Sequence, residues 1–445
     1  MAKANVYESA KSAIRRVVEN KTFRGVALIG GGTAVGQAIM VAATPIVSRL
    51  YGPHAYGAFA IFSSILGIAS CFVSFRFESA IPLPEQDEEA RDLLVLSLTL
   101  ALLFVGVTGL AFLVWHMFTK ANSHGPLFGL LAWTLPLGML SIGCYDSLGY
   151  WAIRKRLYRN ISAYRVNQSI ASVGTQIILH RLPPLGLGLI LAYTVGQAFG
   201  LRPLFLAFRN SSPKVPLPSM ARLVSIGRKY WNLSVYGSAT AIITNIGDSL
   251  PSLLLAKAFG LDMAGIYLMA YRVFSLPTQM VGGAVSQVFT GEASERLRKD
   301  PRLVLDYFHS VHRNMRWIGG VILVLGAISP LVLPWVLGAN WHAAGVAAAI
   351  LAPMAAADIT VRPLYNITVI GNRPKLQLLT GVLPMGLSFI GLGFPILLGF
   401  TPRTTLIAYS LCRCLGCGLI YIIYRHVAKT IKSNTVNETE NAITI

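Results

Sequence analysis

Asp248 and Asn245 stand three residues apart in "ATAIITNIGDSLPSLLLAKAFG", a stretch that is otherwise almost wholly apolar. That spacing sets both side chains on one helical face, and Pro251 close by removes a backbone hydrogen bond. A carboxylate so placed can take up and release a proton or Na⁺ and couple that event to a change of shape. It can equally pair with a neighbouring guanidinium and hold helices together. Arg272, in "YLMAYRVFSLP", has similarly apolar surroundings. A guanidinium stays charged and offers a planar fork of donors that matches phosphate oxygens, so an inward-facing Arg suits a diphosphate better than Lys would. A salt bridge to Asp248, or snorkelling to an interface, competes for it.

More ionisable residues share this setting. Arg76 and Glu78 lie in "SFRFESAIPLP"; Asp146, Arg154 and Arg165 lie around one helix-to-helix connection; Asp358 and Arg362 sit four apart, where they neutralise each other on one face. Arg413 reads as a packing or interface residue. Ionisable groups in hydrocarbon are costly and usually face a partner or an internal cavity, so each is a functional candidate.

The elements that must carry these residues follow from composition. Of 445 residues 54% are hydrophobic and 13% charged, about half the charge of a soluble domain. Runs of about 18 or more apolar residues cross a roughly 30 Å hydrocarbon core as helices. Twelve are expected, at 26–48, 57–75, 93–115, 126–150, 161–180, 185–206, 231–256, 264–288, 314–338, 343–366, 376–399 and 404–424. The first is too long for a signal peptide and lacks a cleavage site before the next run. The fold expected is all-α and polytopic.

With the N-terminus inside, Lys and Arg number 29 on the cytoplasmic segments and five on the outer loops. That asymmetry obeys the positive-inside rule and puts both termini in the cytoplasm. It also accounts for the net charge of +20. The basic residues are spread over short loops, which fits anionic membrane lipids as a partner and excludes a nucleic-acid reader.

Standard enzyme signatures are missing. "GGGTAVGQ" at 30–37 has Gln37 where a phosphate-binding loop needs Lys, and its setting is an apolar helix, so close helix packing is its expected role. Cys412, Cys414 and Cys417 form C-x-C-x-x-C without the spacing or the histidines of a zinc site; they too read as packing, and no metal or cofactor is expected.

The chain repeats itself. "RLYGPHAYGAF" at 49–59 returns as "KAFGLDMAGIY" at 257–267, an offset of 208 that sets Gly52 on Gly260, Gly57 on Gly265, Phe59 on Tyr267 and Gln37 on Asn245. A weaker echo sets Ile153 and Arg156 on Ile370 and Arg373. Two six-helix halves of parallel topology follow. The glycines at 52 and 260 are expected to supply backbone conformations closed to other residues, and those at 57 and 265 close packing. The expected organisation is an amphipathic cytoplasmic lead-in (1–25), an N-lobe (26–208), a basic linker (209–229), a C-lobe (230–427) and a cytoplasmic tail (428–445). Residues 289–313 read as an amphipathic cytoplasmic connection punctuated by Pro301.

These stretches carry a resemblance. "SRLYGPHAYGAFAIF", "FRFESAIPLP" followed by "EQDEEA", "GDSLPSLLLAKAFGLDMAGIYLMAYRV" and "NITVIGNRPKLQ" resemble the Wzx-type polysaccharide-biosynthesis flippases for lipid-linked oligosaccharides, in the multidrug/oligosaccharidyl-lipid/polysaccharide (MOP) export superfamily. The likeness runs over about 26–425. It implies two six-helix lobes around a cationic cavity that opens alternately to either side of the bacterial inner membrane and carries undecaprenyl-diphosphate-linked sugars for O-antigen, capsule or exopolysaccharide assembly. No enzyme activity is implied. A polysaccharide polymerase and its chain-length machinery are the implied partners.

In that family the acidic position before "LLLAKAFG" matches Asp248, Arg49 and Arg76 match basic positions near the first two helices, and Arg272 matches a cavity-facing position of the eighth. Arg49, Arg76, Arg165 and Arg272 thus become the expected diphosphate ligands, and Asp248 with Asn245 the expected H⁺ or Na⁺ coupling site. Glu78, Asp146, Arg154, Asp358 and Arg362 are further cavity candidates. Family members often place Arg directly after the acidic residue of the seventh helix; Ser249 and Leu250 follow here, which leaves Asp248 without an evident charge partner. The rival readings are a cation-coupled multidrug exporter of the same superfamily and a membrane glycosyltransferase or polymerase. The latter usually has a large outer loop, whereas no outer loop here exceeds roughly a dozen residues.

Overall fold

A computed structural model of the chain describes residues 21–118, 126–181, 186–212, 216, 218–371 and 373–443. Most of the expected lead-in at 1–25 lies outside the described residues. Twelve long helices carry the described chain: α1 (Lys21–Leu50), α2 (Pro53–Val73), α3 (Asp87–Phe118), α4 (Pro126–Arg154), α5 (Tyr158–Ile178), α6 (Leu187–Ser211), α7 (Met220–Phe259), α8 (Leu261–Lys299), α9 (Arg302–Leu337), α10 (His342–Val361), α11 (Pro374–Leu397) and α12 (Pro402–Ile443). A single helical turn at Ile367–Ile370 and short 3₁₀ turns join them, and the described residues include no β-strand. Each expected span falls on one of the twelve, as hydrocarbon demands of a backbone that must satisfy its own hydrogen bonds.

Among the described residues eight helices are long and apolar enough to cross a membrane by composition alone. The other four, α4, α5, α7 and α8, carry Asp146, Arg165, Asp248 and Arg272. Each of these four thus bears an ionisable candidate, as expected of helices with a polar inner face, while Asp358 of α10 and Arg413 of α12 stand on helices that do pass by composition.

The chain divides into two compact units. One comprises Met1–Leu50 and Ile65–Ile242, the other Tyr51–Ser64 and Ile243–Ile445. Two helices, α2 and α7, are shared between them along their length.

In the first unit the glycine run packs as expected. A Cβ at Gly32 would collide with Ser162 of α5, and one at Gly36 would lie 3.0 Å from the Arg165 carbonyl oxygen and from Ser169 Oγ. Small residues let α1 and α5 approach this closely. The second half of the basic linker is helical and forms the first turns of α7, which is clamped to the acidic start of α3. Arg222 Nε lies 2.5 Å from Asp92 Oδ2 and Lys229 Nζ 2.5 Å from Glu89 Oε1, while Arg91 donates to the Pro216 carbonyl at 3.0 Å. The Glu89 hydrogen bond pushes the exposed Lys229 ammonium above its ordinary range.

In the second unit, α8 and α9 extend beyond the expected spans and turn at Asp300–Pro301. Phe289, Ala293, Val304 and Phe308 pack there against Leu364, Ile367, Tyr424 and Val427. Cys417 belongs to this core, and a Cβ on Gly391 of α11 would come within 2.9 Å of Cys412. Both cysteines therefore pack helices, as their setting suggested.

The two echoes fall on matching connections, α1–α2 with α7–α8 and α4–α5 with α10–α11. Gly260 does adopt a positive φ of 87°, whereas Gly52, expected to do the same, does not. The pair at 57 and 265 meets the packing expectation fully. A Cβ on Gly57 would overlap the Leu261 carbonyl oxygen, and one on Gly265 would overlap the Pro53 carbonyl oxygen. His54 Nδ1 and Asp262 Oδ1 face each other beside this crossing at 3.4 Å.

Candidate functional site

Each unit holds a group of two guanidiniums and two carboxylates. In the first unit the chain turns sharply after α2, with Phe75 at φ 47° and Arg76 at φ 59°. Non-glycine residues held in this region are strained, and such strain clusters at functional sites. The turn is secured by Ser234, which donates to the Phe75 carbonyl, and by Ser79 Oγ, which donates to the Arg76 carbonyl at 2.7 Å.

That turn sets Arg76 beside Glu78, with Nε 3.8 Å from Oε1. Glu78 is only 1% exposed, and Ser74 Oγ donates to its Oε2 at 2.5 Å. Arg76 Nε is buried with no hydrogen-bond partner, so the pair is one of charge rather than of hydrogen bonding. Asp146 of α4 interacts electrostatically with Glu78, Arg76 and Arg165.

Arg165 of α5 is held by aromatic rings. Its Nη2 donates to the Tyr145 hydroxyl at 2.7 Å, and the guanidinium lies 4.9 Å from the Tyr145 ring centroid and 5.7 Å from that of Tyr164. The two tyrosines stack at 4.2 Å. Tyr164 donates to Gln197 Oε1, whose Nε2 donates to Tyr193 Oη at 3.0 Å. A guanidinium packed on rings keeps its charge while losing little freedom on binding an anion.

In the second unit Arg362 Nε meets Asp358 Oδ2 at 3.0 Å, the self-neutralising pair expected from the spacing. Arg413 Nη2 of α12 lies 3.9 Å from the other oxygen, Oδ1. Asp248 interacts electrostatically with Arg362, Arg413 and Asp358, and its side chain is exposed. The cations that act on Asp248 are thus Arg362, in the turn that follows α10, and Arg413 of α12.

The remaining candidates are elsewhere. Arg154 is 10% exposed along its side chain and bonds Asp87 Oδ1 at 3.1 Å. It also donates to the Pro82, Pro84 and Glu85 carbonyls at 3.3, 2.5 and 3.1 Å. It pins the α2–α3 connection, and this engagement leaves its fork little capacity for a ligand. Arg272 lies with its guanidinium 5.8 Å from the Phe59 ring centroid and interacts electrostatically with Tyr56, away from the Asp358 group. Arg49 is exposed in the last turn of α1. Asn245 is half-buried one turn before Asp248.

Arg413 is the functional candidate that sequence reasoning set aside. Its only signal was an arginine inside an apolar helix, which fits packing as well as function. In the structure its Nε is buried and without a hydrogen-bond partner, and its Nη2 lies 3.9 Å from Asp358 Oδ1, which makes it a candidate beside its packing role.

Comparison with known proteins agrees with this architecture. No protein of curated function matches the chain in sequence. Among solved structures, a multidrug resistance MATE family transporter of the MOP superfamily in an inward-facing conformation superposes with a TM-score of 0.68 at 15% identity, over 89% of this chain and 96% of the other. The outward-facing conformation of such a transporter gives 0.57 at 15% identity, over 94% and 98%. A MOP superfamily transporter from Pyrococcus furiosus, described by a binding pocket of reverse polarity, gives 0.52 at 14% identity, over 92% and 96%. At this identity the likeness concerns the fold. The profile of the family described as polysaccharide biosynthesis protein matches residues 46–345, and the chain, a multi-pass membrane protein with a MOP transporter fold, belongs to that family.

Proposed function

We propose that the protein is a flippase that carries undecaprenyl-diphosphate-linked oligosaccharide units from the cytoplasmic to the periplasmic leaflet of a bacterial inner membrane, for assembly of a surface polysaccharide. The observation that carries this reading is a family match to polysaccharide biosynthesis in a chain whose Arg76 and Arg165 are gathered with Glu78, Asp146 and Tyr145 in one unit. The protein would perform no covalent chemistry. Its task is to shield a diphosphate and several sugars across about 30 Å of hydrocarbon while the polyprenyl tail stays in lipid.

Arg76 and Arg165 are the principal diphosphate ligands in this reading, and Arg49 and Arg272 are further cationic candidates for the same cargo. Guanidiniums suit the task because they match phosphate oxygens two at a time and never lose charge. Asp248, with Asn245 and the Asp358–Arg362–Arg413 group, is the element that couples movement to H⁺, to Na⁺ or to membrane potential. Both termini face the cytoplasm, where anionic lipids meet the protein, and the polymerase and chain-length machinery of the pathway are its partners.

A second reading, cation-coupled export of cationic compounds, is favoured by the burial of Glu78 and by the balance of two carboxylates against two guanidiniums in each unit. For the Pyrococcus furiosus transporter, reverse polarity of the binding pocket is described as suggesting a different function, so this fold is compatible with more than one pocket polarity.

Depleting the protein from its host and treating intact cells with a membrane-impermeant periodate reagent separates the two. The flippase reading expects a lipid-diphosphate glycan to accumulate in a form that the reagent cannot reach. Unchanged glycolipid, together with sensitivity to lipophilic cations, would favour the exporter.

A further inference from the structure

Within the second unit α9 and α12 are locked together by rings. Tyr421 of α12 stacks on two rings of α9, its centroid 5.9 Å from that of Phe308 and 4.2 Å from that of His312. His312 Nδ1 also lies 3.2 Å from the Thr360 carbonyl oxygen, so α10 steadies the same corner.

Cations gather there. His309, Arg313 and Arg316 stand at steps of four and three, which share a face of α9, and Arg425 and Lys429, four apart, share a face of α12. All four permanent cations are exposed. His309 interacts electrostatically with Arg425 and Lys429, and His312 with His309 and Arg316, so the two faces form one group. Asp306 also acts on His309. Several cations elsewhere are answered by carboxylates: Lys155 by Asp87, Arg222 by Asp92, Lys229 by Glu89 and, in the same unit, Arg296 by Glu292. Among the described residues no carboxylate is within ion-pair distance of Arg313, Arg316, Arg425 or Lys429. Converging like charges without that answer favour an anion from outside.

Tryptophan marks the depth of this group. Trp317, next to Arg316, is 79% exposed, and Trp335 is 80% exposed. The interval of 18 residues is about five whole turns, so both lie on one face, about 27 Å apart along the axis. That is close to the roughly 30 Å of a hydrocarbon core. Every exposed residue between them is apolar or glycine. Tryptophan collects at both membrane interfaces, which sets Arg316, Arg313 and His309 at headgroup level, on the side that the proposed orientation gives to the cytoplasm.

We propose that this corner binds an anionic glycerophospholipid with two phosphodiester groups, of the diphosphatidylglycerol type. Arg313 and Arg316 take one phosphate and Arg425 and Lys429 the other; guanidiniums match phosphate oxygens two at a time. Trp317 lies against the glycerol and upper acyl chains. Two phosphates are preferred to one because the cations come as a pair on each helix, a basic pocket between membrane helices. The apolar face running on from Trp317 serves acyl chains, which a soluble phosphate or phosphopeptide lacks. The site uses none of the residues assigned to the carried diphosphate, and it stands whatever the cargo.

The test titrates the purified full chain, in a zwitterionic detergent, with diphosphatidylglycerol, phosphatidylglycerol, phosphatidylethanolamine and undecaprenyl diphosphate, and counts bound lipid by native mass spectrometry. The variants are Arg313→Gln/Arg316→Gln, Arg425→Gln/Lys429→Gln and, as a control, Arg202→Gln/Arg209→Gln, which removes two exposed cations of α6. The proposal expects one diphosphatidylglycerol to bind at least about tenfold more tightly than phosphatidylglycerol. Either pair on α9 or α12 should weaken it at least about tenfold, since one basic residue near an anionic surface is worth about fivefold, and the α6 pair should leave it unchanged. If one pair fails to fold, the pair on the other helix decides.

Equal affinity in wild type and in the α9 and α12 pairs overturns the site. An equal loss with the α6 pair reduces the effect to net charge and overturns it too, as does displacement by equimolar free pyrophosphate, which assigns the corner to a soluble anion. Binding at these residues by undecaprenyl diphosphate alone returns the corner to the cargo and also overturns the proposal. Diphosphatidylglycerol bound as expected, with no undecaprenyl diphosphate bound anywhere, supports the site and counts against the flippase reading.

Discussion

Gly57 and Gly265 occupy the same place in the two copies of one turn, and they meet: a Cβ on Gly265 would lie 2.8 Å from the Gly57 backbone nitrogen. Each glycine faces the carbonyl oxygen at the start of the other's helix, Leu261 for Gly57 and Pro53 for Gly265. Pro53 and Leu261 are themselves 208 apart, as are His54 and Asp262, which face each other alongside. Equivalent residues of the two repeats thus contact one another, as in a self-complementary two-fold interface. The turn recurs because α2 and α8 cross on it.

Gly57→Ala and Gly265→Ala should therefore destabilise to a similar extent, by about 1–3 kcal/mol for an overpacked contact. The double variant should cost less than the sum, since one separation of the helices relieves both clashes. Thermal unfolding in detergent reads this; a neutral Gly57→Ala would mean the crossing is looser than described.

Arg154 should behave as a structural residue. Arg154→Ala leaves several carbonyls of the 81–85 segment unanswered, a loss of roughly 1–3 kcal/mol, and Arg154→Lys should recover little because one ammonium cannot replace the fork. Stability should fall while the affinity of the remaining folded protein for a lipid diphosphate is kept. A variant that is stable but loses affinity would return Arg154 to the binding residues.

The Asp358 group should respond asymmetrically. Asp358→Asn leaves Arg362 and Arg413 facing each other with Asp248 as their remaining carboxylate, whereas Arg413→Gln leaves the Asp358–Arg362 pair intact. Breaking a buried pair costs up to about 3–5 kcal/mol; partial exposure of these groups lowers that figure, and Asp358→Asn should be the costlier change. A double-mutant cycle on unfolding measures the coupling, and additivity would remove Arg413 from the group.

Arg272→Ala should abolish transport and leave folding intact. The guanidinium lies over Phe59, a contact worth about 0.5–2 kcal/mol, too little to unfold the chain. Wild-type transport by this variant would take Arg272 off the anion path.

Much of this was legible in the sequence, for identifiable reasons. Twelve helices announce themselves because hydrocarbon requires long apolar runs, and the duplicated turn shows because a close crossing admits only glycine. The side-chain partners were harder. Arg413 is far from Asp358 along the chain, and only the packing of α12 against α10 joins them. Arg154 looked like a cavity residue because its ligands are backbone carbonyls, which leave no mark in residue types. Gly52 shares its repeat position with Gly260 but not its backbone conformation, since the start of α2 follows Gly52 without a positive φ.

The central claim is that arginines held inside the membrane carry a lipid-linked diphosphate. It is tested most directly in proteoliposomes containing a fluorescent undecaprenyl-diphosphate glycan, by following the fraction open to an impermeant quencher with wild type and with the Arg76→Gln/Arg165→Gln variant, under imposed H⁺ and Na⁺ gradients. The account predicts protein-dependent exchange of the glycolipid between leaflets, reduced at least about tenfold in the variant, the scale of losing one or two charge-assisted hydrogen bonds. Equal quenching with and without the protein, under every gradient, would contradict it.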